Sequence, residues 1–348
     1  MFEGNWPGHI GLGPVVWMVL LCAATAPLKG GGAEGKISVE KVSYAGWSHC
    51  YRMSNGDVEL VAVADVGPRI IRLGFVGSEN EFFENKSQLG RVGGKEWRIY
   101  GGHRLWVAPE GSPRSYFPDN RSVDVNIEGA TLKLTAPPEL DPSFRVHTGI
   151  RKEVDVTMHP DGHVTVTHRI TNVGLWPVEL SPWALSVMAP KGRAIIPAPD
   201  SRPHPQALLP VRPMAVWGYT NMADPRWIWG QKYIVLKQDP ARKEPQKLGV
   251  GNEKGWVAYV RSGHLFLKLF RYVEGATYPD FGSNMETWTN QEILEVETLG
   301  PLTTLEPNEA VEHVEEWFLF KDVEVSDEES SIDANVLPRV KEAQRAVR

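Results

Sequence analysis

The sequence predicts an all-β protein, an antiparallel sandwich or barrel followed by a short C-terminal helix, and three observations support this. Apolar and polar residues alternate with a period of two along most of the chain, which is typical of strands whose two faces differ in burial. Turns containing glycine and proline separate these segments, with no helical segments between them. No long segment has a period of 3.6 residues except the tail.

The N-terminal residues 1–26 are predicted to be a signal peptide. A short apolar run, VVWMVLLCAATA at 15–26, ends in the small residues Ala24-Thr25-Ala26, as expected at a cleavage site. The run is shorter than the ~20 residues of a membrane-spanning helix. We therefore expect a secreted or periplasmic protein without a stable membrane span after cleavage, and leave open whether the peptide is removed or acts as an anchor. Residues 27–38, rich in glycine, are predicted to be a flexible tether.

Residues 39–325 are predicted to form one β domain. The clearest hairpin surrounds His159-Pro160-Asp161-Gly162, which lies between two alternating segments. Residues 189–231, rich in proline and tryptophan, are predicted to form a long loop that borders a cleft. Strands are predicted at 58–65, 69–75, 123–135, 152–158, 163–171, 178–188, 232–237, 256–261, 264–271, 293–299 and 313–320.

The tail, residues 326–348, is predicted to be an acidic loop followed by a helix. The acidic run Asp327-Glu328-Glu329 precedes the only helical pattern in the chain, at about 331–347. Pro338 lies inside this pattern, and we expect it to interrupt the helix.

The composition argues against several classes of protein. The chain has 348 residues and a formal net charge of −6, with no basic block, so we do not expect nucleic acid as a partner. Cleavage of the signal peptide would leave Cys50 as the only cysteine, which excludes a disulfide within the domain. His159 and His163 flank the hairpin turn without a clear third ligand, and an exposed turn is favoured over a metal site. No metal and no cofactor is predicted.

Several motifs, in one order along roughly residues 40–320, together resemble the galactose mutarotase-like (aldose epimerase-like) superfamily, and a bacterial branch of it in particular. The resemblance implies a β-supersandwich fold with a sugar cleft. The motifs are DVGPRIIRL at 65–73, the acidic turn and asparagine at 79–85, GGHRLWVAPE at 101–110, ITN at 170–172, PVEL at 177–180, LEVETLGP at 294–301 and LEPNE at 305–309.

The resemblance implies an acid–base pair. In the superfamily a carboxylate on the C-terminal strands takes the anomeric proton, and a histidine protonates the ring oxygen. Glu295 and Glu297 are the candidate carboxylates here, since residues two apart on a strand share a face; a solvent-facing strand edge is the alternative. The segment that should carry the histidine, 181–185, reads SPWAL, so His103 is the candidate second group.

The candidate sugar-binding residues lie in three segments. In the predicted Gly-Gly loop they are Arg104, Trp106 and Glu110, where Arg104 could hold a uronic carboxylate or simply pair with Glu110. Indole rings can stack on the C–H face of a sugar, but each tryptophan could equally belong to a small core. The turn at 278–282 could place its residues near the cleft or be a local turn. The remaining candidates are Trp183, Tyr219, Trp229, Tyr278 and Asp280.

Three functions fit these residues, all with a carbohydrate ligand. The first is a carbohydrate-binding protein that is also an epimerase for a sugar or uronic-acid unit. The second is a non-catalytic carbohydrate-binding accessory protein, which the 13 tryptophans and the missing histidine favour. The third is a polysaccharide lyase that uses Tyr278, Arg104 and His103. The sequence predicts no oligomeric state.

Overall fold

Two antiparallel β-sheets form the body of the molecule. The computed structural model describes residues 36–140, 147–211 and 213–348. The predicted signal peptide, 1–26, and nearly all of the predicted tether, 27–38, lie outside the described residues. The elements in chain order are β1 (Ser38–Tyr44), β2 (Trp47–Ser54), β3 (Val58–Val63), β4 (Arg69–Phe75), β5 (Gly102–Ala108), β6 (Asp124–Glu128), β7 (Thr131–Thr135), β8 (Ile150–Met158), β9 (Val164–Asn172), β10 (Val178–Met188), β11 (Arg193–Pro197), β12 (Met214–Val216), β13 (Trp227–Trp229), β14 (Tyr233–Lys237), β15 (Gln246–Val250), β16 (Trp256–Arg261), β17 (His264–Phe270), α1 (Pro279–Gly282), β18 (Met285–Thr289), β19 (Leu294–Leu299), β20 (Thr303–Leu305), β21 (Ala310–Phe320), α2 (Glu329–Asn335) and α3 (Leu337–Ala346).

The first sheet has the order β1-β2-β3-β4-β5-β10-β19-β18-β15-β12, and β20 pairs with β10 beside this path. The second sheet has the order β13-β14-β11-β16-β17-β21-β9-β8-β7-β6. This is the predicted all-β sandwich rather than a barrel. The central strands of the first sheet come from distant parts of the chain, so its middle combines three segments that are far apart in sequence.

The main core lies between the two sheets. Apolar residues alternate with polar ones along β8 and β9, so that one face of these strands points into the core. Val154, Val156, Val166 and Ile170 are buried on that face, while most residues between them are half-buried. Removing such side chains from water contributes roughly 25 cal/mol per Å² of apolar surface. Cys50 is a free buried thiol, so the described residues are stabilised by this apolar burial and not by a disulfide.

The tail packs on the outer face of the second sheet. Ile332, Val336, Val340 and Ala343 are buried against side chains of β14, β16 and β17. Pro338 lies in the first turn of α3, where an N–H would lack a helical partner in any case. It therefore begins a second helix instead of interrupting one. Among the described residues, none of the helices has the length and apolar character needed to cross a membrane.

The strands predicted from alternation are all present, but the structure adds others. The segment 101–110, predicted as a loop, contains β5, whose residues are buried on both faces and so do not alternate. Gly102 at its start has φ +71°, and a Cβ there would lie 2.3 Å from the carbonyl oxygen of Ile70, so only glycine allows this close approach. The predicted strand 123–135 is two strands, and the predicted loop 189–231 contains three short ones.

Candidate functional site

A cleft of about 550 Å³ lies on the outer face of the first sheet, opposite the face that packs on the second sheet. This volume is within the range of small-molecule sites. Its lining comes from the central strands β5, β10, β19, β18 and β15 and from the loops beside them. The lining residues are Phe83, Trp97, Ile99, Arg104, Trp106, Glu110, Tyr116, Trp183, Leu185, Trp217, Tyr219, Pro245, Lys247, Trp288, Asn290, Glu292, Ile293, Glu295 and Glu297.

Strand alternation puts the polar side chains of the cleft on one face. On β19, Glu295 and Glu297 line the cleft, whereas Leu294 and Val296 belong to the core between the sheets. Both carboxylates are buried. The alternative of a solvent-facing strand edge is therefore wrong.

Glu297 is held by two neighbours on the cleft floor. The indole Nε1 of Trp183 donates a hydrogen bond to Glu297 Oε2 at 2.8 Å, and Lys247 Nζ lies 3.5 Å from the same oxygen. Glu286, directly opposite Glu297 on β18, also pairs with Lys247 Nζ at 2.8 Å. Facing carboxylates repel, and the ammonium between them offsets that repulsion. Burial and this repulsion raise the pKa of Glu286 well above its ordinary value, although Lys247 opposes them.

Glu295 is the carboxylate of the floor that ligand can reach. Its Oε1 accepts a hydrogen bond from Arg104 Nη2 at 3.1 Å, and 11% of its side chain is exposed. Burial raises its pKa to about 7, with Glu297 adding to the shift and Arg104 opposing it. Near neutral pH this carboxyl is therefore present in both protonation states, as general acid–base chemistry requires.

Aromatic rings surround this floor. Trp106 makes edge contacts with Trp97, Tyr116 and Trp183 at centroid distances of 5.6, 5.1 and 5.3 Å. Trp217, Tyr219 and Trp288 line the other side of the cleft. Such edge-to-face contacts fix the rings relative to one another, so the walls are already formed without ligand.

Seven of the eleven candidate residues meet in this cleft. The other four lie outside its lining, each for a different physical reason. The seven are Glu295, Glu297, Arg104, Trp106, Glu110, Trp183 and Tyr219. The four outside the lining are His103, Trp229, Tyr278 and Asp280.

His103 does not share a site with Glu295 and Glu297. It lies on the inner face of β5, because it alternates with the cleft-facing Arg104. It is 1% exposed, and its ring bonds to Ser186 Oγ at 2.9 Å and His168 Nε2 at 2.7 Å in the core between the sheets. The expectation that His103 supplies the second group of the cleft is corrected by this geometry.

Trp229 stacks on Trp227 at 5.1 Å and donates its indole N–H to the carbonyl of Met222. Tyr278 is 5% exposed, and its hydroxyl accepts a hydrogen bond from the Val273 N–H. Asp280 has φ +50° in the turn α1, which agrees with a local turn. The alternative of a local turn therefore holds for Tyr278 and Asp280, whereas Trp229 is 38% exposed. The small core that was the alternative for the tryptophans is formed by Trp106 and Trp183. Arg104 pairs with Glu295, whereas Glu110 accepts a hydrogen bond from Tyr116.

A polar network in the core lies directly beneath the cleft floor. His168 Nδ1 donates to the carbonyl of His313 at 2.9 Å, so its Nε2 accepts from His103. His168 is therefore a buried core histidine bonded to backbone. His313 Nε2 donates to Thr298 Oγ1, which donates in turn to Glu315 Oε1. Glu315 also accepts from Lys268 Nζ and from the indole of Trp317, both at 2.8 Å.

Two groups of described residues have the spacing of metal ligands: His103 with His168 and Glu315, and His159 with His163 and Glu316. In the first group, hydrogen bonds account for both nitrogens of each histidine. In the second group, the imidazoles stack in parallel with centroids 3.8 Å apart and planes at 8°. Parallel rings do not direct their lone pairs at one point, so this arrangement does not favour a shared ion.

The core histidines make stability depend on acidity. Burial lowers the pKa of His313 to about 3, and it lowers those of His103 and His168 as well. The unfolded chain binds these protons below about pH 6.5, so stability is complete above that pH and falls progressively towards pH 3. Urea denaturation between pH 8 and 4 measures this. His313→Gln, which keeps a donor to Thr298, should reduce the pH dependence, whereas His147→Gln at an exposed position should leave it unchanged.

Several residues of the site and its floor are not identified by the sequence pattern. Lys247 and Glu286 each lie in a short strand, β15 or β18, that the alternation does not predict. Trp97 and Trp288 lie outside the sequence motifs that resemble the superfamily. A usable signal is the presence of single charges within apolar strands, such as the lysine of QKLGV at 246–250, because buried charges need partners.

Solved structures with the same fold include galactose mutarotase-like proteins. A galactose mutarotase-like protein from Lactobacillus casei matches with a TM-score of 0.53 and 10% identity, over 78% of this chain and 100% of that chain. A galactose mutarotase related enzyme from Lactobacillus acidophilus matches with a TM-score of 0.52 and 9% identity, over 78% of this chain and 98% of that chain. The Slr1438 protein from Synechocystis matches with a TM-score of 0.52 and 11% identity, over 81% of this chain and 99% of that chain. No protein-family model and no curated protein matches the sequence. The chain therefore has the galactose mutarotase-like fold that its motifs predicted.

Proposed function

We propose that this protein, whose fold is that of galactose mutarotase-like proteins, binds a carbohydrate unit in the cleft on the first sheet. The observation that carries the proposal is the combination of preformed aromatic walls with a reachable carboxylate on the floor. In this proposal the protein meets its sugar outside the cytoplasm, as the apolar run at 15–26 predicts.

The chemistry of the lining suits a sugar. The faces of indole rings accept the C–H groups of a pyranose, and carboxylates accept hydrogen bonds from its hydroxyls. Trp217, Trp288 and the exposed Tyr219 offer rings to a ligand. The adjacent Trp106 and Trp183, on β5 and β10, are 8% and 1% exposed and pack together beside Glu295 and Glu297. A ligand of one or two sugar rings fits the volume of about 550 Å³.

Replacing Trp106 with alanine tests the proposal. A glycan array first identifies a sugar that binds, and calorimetric titration then gives its dissociation constant. We expect Trp106→Ala to weaken binding about tenfold to a hundredfold, the effect of losing a central aromatic contact. Trp176→Ala is the matched control, since Trp176 is 79% exposed and lies outside the cleft lining. Equal affinities for the wild type and Trp106→Ala would contradict the proposal, as would the absence of any binding sugar.

Acid–base catalysis of anomer interconversion is the second candidate, and the pKa of Glu295 near 7 favours it. In its ionised form Glu295 would take the anomeric proton while the ring C–O bond breaks, and the ring oxygen would gain a proton. Because His103 lies in the core, the described lining of the cleft contains no histidine like the one that protonates the ring oxygen in the superfamily. We therefore place binding without turnover first. The cleft does not fit the lyase alternative, since two of its three residues, Tyr278 and His103, are outside the cleft lining.

A further inference from the structure

The charges that a ligand meets in the cleft are mostly negative. Glu110 and Glu292 are exposed, and Glu295 is reachable at the floor. The two cations of the lining are covered: the side chains of Arg104 and Lys247 are 3% and 5% exposed. The surface offered to a ligand is therefore acidic, although both signs of charge are present.

Both cations are already engaged. Arg104 pairs with Glu295, and its guanidinium lies 4.5 Å from the ring centroid of Trp106 and 5.2 Å from that of Trp97. Lys247 pairs with Glu286 and Glu297, and its ammonium lies 4.5 Å from the ring centroid of Trp183. A uronate or a phosphorylated sugar would have to displace these contacts, and it would add a negative charge beside several carboxylates. This arrangement disfavours an anionic ligand.

We propose that the ligand of the cleft is an amino sugar with a free ammonium group, bound between Glu295 and the carboxylate Glu110 at the rim. This inference rests on the proposed function, because it names the class of sugar that the same cleft takes. Glu110 and Glu295 line the same cleft. Tyr116, which bonds Glu110, packs on the ring of Trp106, and the guanidinium over that ring pairs with Glu295. A charged donor on a carboxylate makes a stronger hydrogen bond than a neutral hydroxyl does.

The aromatic walls contribute in the same direction. An ammonium beside the ring of Tyr116 is attracted to its face, and Tyr116 contacts both Trp106 and Glu110. The carboxylates and rings therefore prefer a cation at the same end of the cleft. An N-acetylated amine has no charge and would lose both interactions.

Matched sugar pairs test this inference by calorimetric titration at about pH 7. The pairs are D-glucosamine with D-glucose, D-galactosamine with D-galactose and D-mannosamine with D-mannose, and the N-acetyl derivatives and D-glucuronate are added as probes. In at least one pair we expect the amine to bind at least tenfold more tightly than its hydroxyl analogue, and glucuronate to bind most weakly. Added salt should reduce the preference, since it screens charges.

A variant of Glu110 tests whether this carboxylate causes the preference for the amine. Glu110→Gln should reduce the amine-to-hydroxyl ratio severalfold, whereas Glu128→Gln should preserve it, since Glu128 is an exposed residue of the second sheet. If neutral sugars bind as tightly as their amines, this inference is overturned and the proposed function stands. If no member of any pair binds and no array sugar does, both are overturned.

Discussion

Replacing Lys268 with methionine is expected to lower the free energy of unfolding by about 3–5 kcal/mol, because it leaves a buried carboxylate without its counter-charge. Lys268 and Glu315 are both fully buried, with Nζ and Oε1 2.8 Å apart. Burial alone would raise the pKa of Glu315, but Lys268 and the neighbouring histidines keep it below its ordinary value. Without the lysine, Glu315 must either stay charged in the core or take up a proton.

Urea denaturation at pH 7 and at pH 5 measures this loss. Lys321→Met is the matched control, because Lys321 pairs with Asp57 at 2.6 Å while both side chains are largely exposed; it should cost about 1 kcal/mol or less. The Lys268→Met variant should lose less stability relative to the wild type at pH 5, where Glu315 is more easily protonated. Equal losses of stability in the two methionine variants would contradict this prediction, because the buried pair would then stabilise the fold no more than an exposed pair does.

The second large effect concerns Glu295→Gln. If the cleft catalyses anomer interconversion, this substitution should reduce the rate by about 10²–10⁴-fold, since the amide cannot exchange the proton. Glutamine keeps the size of the side chain and can still bond Arg104, so the dissociation constant of the sugar should change far less than the rate. Polarimetry with a sugar that binds measures the rate of anomer interconversion, and Glu128→Gln is again the control.

The pH dependence gives an independent readout. With Glu295 acting as the base, the wild-type rate should rise as pH increases through about 7, because the ionised form is the active one. A wild type that accelerates the reaction and a Glu295→Gln variant that does so equally would exclude Glu295. A wild type that binds the sugar without accelerating the reaction leaves binding as the function.

The alternating strands were the part of the fold that could be predicted from sequence. On β19 the period of two placed Glu295 and Glu297 on one face, and the structure confirms this. β5 could not be recognised in the same way, because it is buried on both faces and begins with glycines. A loop would let His103 and Arg104 face the same side, whereas a strand separates them.

The partners of the cleft residues were the part that could not be predicted. Lys247 is 50 positions from Glu297 in sequence, and only the order β19-β18-β15 brings them together. The same is true of Arg104 and Glu295, whose strands are both neighbours of β10. Long-range strand pairing therefore decides which charges are compensated, and local sequence patterns carry no information about it.

The most direct test of the central claim is a crystal structure with a sugar that binds on the array. We expect the sugar ring in the cleft, in contact with Trp106 or another aromatic ring of the lining, with one of its polar groups within hydrogen-bond distance of Glu295. A sugar bound at another surface, with the cleft unoccupied, would contradict it.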